Sequence, residues 1–156
     1  MAKNIGDSNQ PACYMIVTGI AAVIAGGMIS AFLAHDPSRL AMWVSAYLVL
    51  VAGVAQVVFG LSLYKLSRAQ YILHVWVAFI LYNLANAEII VGTLYKHTQY
   101  GRPMVLAGGI GMILALAYMI LATKHATRSL ILKSFYVFIC LILACIPIGL
   151  WLSATR

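Results

Sequence analysis

From Cys13 onward the chain is a series of long apolar runs separated by short polar breaks. The runs are continuously apolar over about 20 residues, the length of a helix crossing a ~30 Å hydrocarbon layer, and they lack the strict alternation of a half-buried strand. Five spans are predicted, over 14–34, 40–66, 70–95, 104–123 and 130–153. Residues 1–12, polar and containing Pro11, read as a short solvated tail, and 13–156 as a single transmembrane domain. Asp36 and Pro37 supply start signals ahead of the second span, and Pro147 is expected to kink the fifth. Short connections make neighbouring spans antiparallel. The expected fold is therefore an all-α integral membrane protein, a bundle of about five transmembrane helices. The first run is longer than the apolar core of a signal peptide and shows no small-x-small cleavage site before His35, so it is expected to stay as a helix.

Small residues mark the helix faces that touch other helices, because lipid tails are as apolar as Leu and close backbone approach supplies the packing. At spacing four, the first span offers Ala22, Gly26 and Ser30, the second Ala52, Gln56 and Gly60, and the fourth Ala107, Gly111 and Ala115. Five spans have few internal faces, so some of these stripes are expected to be completed by another copy or by a membrane-protein partner.

Composition agrees with a bilayer as the main solvent: 64% of the 156 residues are hydrophobic and only 8% charged, with a mean hydropathy of +0.99. A soluble domain carries roughly 25% charged residues. The net charge of +7 does not indicate nucleic acid, because the ten Lys and Arg are scattered at the ends of the apolar runs. They report orientation instead. Lys3, Lys65, Arg68, Lys124, Arg128 and Lys133 fall on the side of the N-terminus, and Arg39, Lys96, Arg102 and Arg156 on the other. Positive-inside bias then gives a cytoplasmic N-terminus and an outer C-terminus, in a bacterial-type cytoplasmic membrane. Trp43, Tyr47, Tyr64, Tyr71, Tyr95, Tyr100, Tyr136 and Trp151 lie near the span ends, where aromatic rings anchor at the interface. Cys13, Cys140 and Cys145 follow no metal-ligand spacing and read as small hydrophobes.

The third span is the unusual one. It places Asn83, Asn86 and Glu88 within six residues of otherwise apolar helix. Asp7, Asp36 and Glu88 are the only acids, and only Glu88 falls within a span, about seven residues or ~10 Å from its end. A charge at the bilayer centre costs on the order of 2.5–3.5 kcal/mol, so an intramembrane carboxylate pairs, meets water or is protonated, and is a functional candidate by default. His74, Leu81, Glu88 and Tyr95 recur at seven and form one stripe, while Asn83 and Asn86 face largely the other way and read as helix-bridging groups. A helix polar on two sides suits the centre of the bundle. Gln56, in the second span, and Tyr118, in the fourth, are candidate hydrogen-bond partners, and Arg39 and Arg102 candidate charge partners from the outer loops.

His35 and His97 at one end of the spans, and His74 and His125 at the other, form a weak candidate set of haem ligands. Against that set, His97 and His125 sit in charged, loop-like stretches, and His74 lies roughly 34 Å from His97 if the chain between is helical. No HExxH, P-loop, dinucleotide-binding glycine pattern, GxSxG or CxxC is present. Ser67-Arg68-Ala69-Gln70, opening a span, resembles over those four residues the arginine-bearing motif of small glutathione-using membrane enzymes. The Asn and Glu that follow in that motif are replaced by Tyr71 to Phe79 with only His74 polar, and the chain is not assigned to that family.

The expected function is a small transporter or channel-like binding protein without catalytic residues or a required cofactor. Its polar site is centred on Glu88 with Asn83, Asn86, Gln56 and His74. The alternatives are a non-catalytic accessory subunit of a larger membrane complex, and a haem-binding redox or small conjugating membrane enzyme.

Overall fold

The computed structural model describes residues 9–36, 38–127 and 129–155, the side chains of residue 69 and residues 149–155 excepted. Expectations for the tail over residues 1–8, for Pro37, Arg128 and Arg156, and for the Trp151 side chain lie outside the described residues. Every regular element among the described residues is helical. In order these are α1 (Gln10–Leu33), α2 (Arg39–Tyr47), a π-helical segment (Leu48–Ala55), α3 (Gln56–Leu66), a single 3₁₀ turn (Ala69–Tyr71), α4 (Ile72–Leu94), α5 (Gly101–Thr123) and α6 (Leu130–Thr155). The stretch Arg39–Leu66 runs on as one span, so five helices are long and apolar enough to cross a membrane, the make-up of a multi-pass membrane protein.

Helix boundaries follow local chemistry. α1 takes in Gln10–Ala12, ahead of the expected start, because Pro11 sits in the first turn, where its fixed φ suits a helix and its missing N–H is not needed. The start of α2 is capped by Ser38, whose hydroxyl accepts from the Ala41 amide at 3.2 Å. Ser129 caps α6 in the same way, accepting from the Leu132 amide at 3.2 Å. α6 continues through Pro147.

The chain forms two compact units, one extending to Tyr64 and the other starting at Lys65. In the first, α1 packs against the rod made by α2, the π segment and α3, and the contact is made by glycines. A Cβ on Gly19 would lie 2.9 Å from the Gly53 carbonyl oxygen, one on Gly60 would lie 2.9 Å from that of Ala12, and one on Gly26 would lie 2.9 Å from that of Ser45. Along α1 the contact residues 12, 19 and 26 advance by seven. Their counterparts 60, 53 and 45 advance first by seven and then by eight. The extra residue falls in the π-helical segment, whose wider turns absorb it. As a result Ser45 faces α1 and is buried (2% exposed), while Ala46 is turned outward.

In the second unit α4 and α5 form an antiparallel hairpin with the same logic. Ala78, Ala85 and Gly92 on α4 and Gly101, Gly108, Ala115 and Ala122 on α5 are all buried and all spaced by seven. A Cβ on Gly108 would lie 2.8 Å from the Ala85 carbonyl oxygen, and one on Gly92 would lie 2.8 Å from that of Gly101. The expected stripe at spacing four is only partly used: Ala115 is buried, Gly111 half-buried and Ala107 exposed. A row at spacing four winds off the contact by about 40° per step, whereas a row at seven drifts by only about 20°. Two long helices that stay together over several turns therefore select the row at seven. α6 packs along α5, with Leu132, Phe135 and Ile139 buried and the Tyr136 hydroxyl 3.4 Å from that of Thr123.

Much of the remaining apolar surface is open: Phe32, for example, is 80% exposed and Leu130 79%. A soluble monomer seldom leaves so many large side chains uncovered.

Candidate functional site

Each element of the hairpin fixes where Glu88 sits. Ala85 and Gly92 lie on the α5-facing seam of α4, and Glu88 is turned about 60° from Ala85 around the helix. The exposed Leu84 and Ala87 lie farther round on the same side. Glu88 is consequently half-buried on the shoulder of the α4–α5 contact, neither in the seam nor fully outside it. Among the described residues no group donates a hydrogen bond to its carboxylate and no cation pairs with it. His74 and Leu81 lie on the same shoulder, as the spacing of seven requires, and both are half-buried.

Asn83 and Asn86 are on the opposite side of α4. Their side-chain amides donate to carbonyls one turn back, Asn83 to Phe79 and Asn86 to Tyr82, each at 2.8 Å, and Asn86 is only 5% exposed. Such bonds satisfy one donor within the helix and let an amide side chain sit in apolar surroundings. Gln56 is fully buried in the first unit. Its side-chain amide donates to the Thr18 hydroxyl at 2.8 Å, and Thr18 in turn donates to the Tyr14 carbonyl at 2.8 Å. Arg39, at the start of α2, and Arg102, in the first turn of α5, are exposed, and Arg102 makes no ion pair with Glu88.

The histidines fall into two kinds. His35 and His97 are exposed in connections. His74 and His125 gather around Tyr71: the His125 ring stacks on it at 5.7 Å between centroids, and the His74 ring meets it edge-on at 5.6 Å. Tyr118 closes the other side of His74 at 6.0 Å, so Tyr118 accompanies the third span at His74, fourteen residues from Glu88. Nδ1 of His74 is buried and finds no hydrogen-bond partner among the described residues. Among the described residues no three His, Cys, Asp or Glu side chains converge as a metal site.

Two features gave little sequence signal. One is the hydroxyl chain of Ser30 and Ser45 in the first unit, since isolated serines in apolar helices usually bond their own backbone. The other is the Tyr71 cluster, whose members come from a 3₁₀ turn, two helices and a loop. Comparison of the chain with protein-family models, with characterised proteins and with solved structures finds no match.

Proposed function

We propose that this chain is a small multi-pass transporter or channel-like binding protein of a bacterial-type cytoplasmic membrane, with its N-terminus inside and Glu88 as its proton- or cation-coupling group. The observation that carries the reading is a carboxylate within an apolar helix, in its last third, half-buried, with no ion pair or hydrogen bond among the described residues. A structural charge in an apolar setting is held by a partner, because an unpaired one costs several kcal/mol. A carboxylate left open on one side can instead hold a proton when the site is empty and release it when a cation arrives. Proton and cation then compete for the same oxygens, the minimal requirement for exchange. Replacing Glu88 by Gln keeps shape and hydrogen bonding but removes the exchange, so binding or transport of cations is lost while the fold survives. Failure of a well-folded Glu88→Gln protein to differ from wild type in cation binding and pH response would rule this out.

A second reading is supported by the same exposure. Glu88 lies on a shoulder next to uncovered apolar side chains, where a partner subunit or a second copy supplying an Arg or Lys would neutralise it. In that case the chain is an accessory subunit, and Glu88→Gln abolishes co-purification of the partner in mild detergent.

A further inference from the structure

The first unit holds an open pocket of about 170 Å³ where the end of α1 meets the start of α2, lined by Ser30, Leu33, Ala34, Ala41, Met42 and Ser45, of which Ser30, Ala34 and Met42 are exposed and Ser45 is buried. Its walls are apolar and its polar groups are the two serine hydroxyls. Their protons can be assigned. The Ser45 oxygen lies 2.7 Å from the Gly26 carbonyl oxygen, which only accepts, so the Ser45 proton is on that bond. The Ser30 and Ser45 oxygens are 2.6 Å apart, a separation that needs a proton between them. With the Ser45 proton already committed, it is the Ser30 hydroxyl that donates to Ser45. The Ser30 oxygen therefore keeps its lone pairs for the pocket and has no proton to offer there. Ser45 reaches this position because the π-helical segment shifts the register by one residue; in the unshifted register Ala46 would face Gly26 and offer Ser30 no hydroxyl on the facing helix. π-helical turns are frequent at functional sites.

We propose that this pocket binds a small neutral molecule with a mostly apolar body and one hydrogen-bond donor, a hydroxyl or amine group, that donates to the Ser30 oxygen. The volume sets the size, since an apolar cavity of about 150 Å³ takes up one benzene ring. The donor requirement follows from the proton assignment. A hydroxyl is supplied either by a small free molecule or by a lipid headgroup, and both present the same chemistry to Ser30.

The test uses the full-length protein in nanodiscs of phosphatidylcholine, whose headgroup carries no hydroxyl, with phenol and toluene as probes of similar size. Saturable binding is read by ligand-observed NMR. Phenol is expected to bind roughly fivefold or more tightly than toluene, the size of one net hydrogen bond. In Ser30→Ala the two probes bind alike, and in Met42→Trp, which fills the pocket, neither binds. Glu88→Gln leaves phenol binding unchanged, which separates this site from the transport reading. Repeating the titration in phosphatidylglycerol, whose headgroup carries hydroxyls, assigns the source: weaker phenol binding there supports a lipid headgroup as the resident donor, and unchanged binding supports a small free molecule. Equal affinity for phenol and toluene in the wild type, no saturable binding of either, or a phenol preference that persists in Ser30→Ala would overturn the proposal.

Discussion

Ala85 and Gly108 meet backbone to backbone: a methyl group on Gly108 would come within 2.8 Å of the Ala85 carbonyl oxygen. This approach sets the seam between α4 and α5, and the seam in turn fixes Glu88, three residues beyond Ala85, on its shoulder. Stability and the candidate site are thus coupled through one pair of small residues.

Gly108→Ala should destabilise the protein by about 1–3 kcal/mol, because the obstacle is backbone and cannot rotate away. Gly27→Ala meets nothing within 4 Å and should be neutral or slightly stabilising, by up to about 1 kcal/mol. Thermal unfolding of the two variants in one detergent checks both signs together.

The shifted register of the second span is open to direct chemical test. With Cys13, Cys140 and Cys145, all unpaired, replaced by Ala, the pair Ser30→Cys with Ser45→Cys should cross-link under mild oxidation, since the native oxygens are 2.6 Å apart. The pair Ser30→Cys with Ala46→Cys should not, because residue 46 is turned outward by the π-helical segment. The opposite result would restore a plain α-helix through this span.

Thr18→Val removes one acceptor of the buried Gln56 side chain and should cost about 0.5–1.5 kcal/mol, the net worth of one hydrogen bond. Ser62→Ala removes only a bond to the same helix's Val58 carbonyl, and its effect should stay within about 0.5 kcal/mol. Equal effects would show that the Gln56–Thr18 bond contributes nothing specific.

His74→Phe keeps a ring between Tyr71 and Tyr118 and removes the buried nitrogen that finds no partner among the described residues. It should leave stability unchanged or raise it by about 1 kcal/mol. His97→Ala, at an exposed position, should be silent. If instead either variant loses a bound pigment visible in the absorption spectrum, the histidines are haem ligands after all.

The five helices were legible because length and continuous hydrophobicity are physical requirements of a helix crossing a bilayer, and short breaks leave little choice of boundary. Glu88 was legible for the same reason: a single acid in such a run stands out, and its seven-residue stripe with His74 follows from helix geometry alone. The packing was less so. Small residues recur both at spacing four, as in Gly26 and Ser30 or Ala107, Gly111 and Ala115, and at spacing seven, as in Gly19 and Gly26 or Gly101, Gly108 and Ala115, and only the contacts of the packed helices select the row at seven. The π-helical segment leaves no pattern in LVLVAGVA, since the residue it absorbs is defined by the partner helix and not by local composition. Gln56, singled out as a partner for the third span, bonds Thr18 within its own unit, a contact 38 positions away that no periodicity encodes.

Exchange of a proton for a cation at Glu88 is tested by the thermal stability of the purified wild type and Glu88→Gln, from about pH 5 to about pH 9, with and without a panel of cationic and anionic ligands. A cationic ligand is expected to stabilise the wild type, more so as the pH rises, and the well-folded mutant is expected to show neither the ligand effect nor its pH dependence. A mutant unstable at every pH, with no ligand altering the wild type, would contradict this exchange and make Glu88 a structural charge.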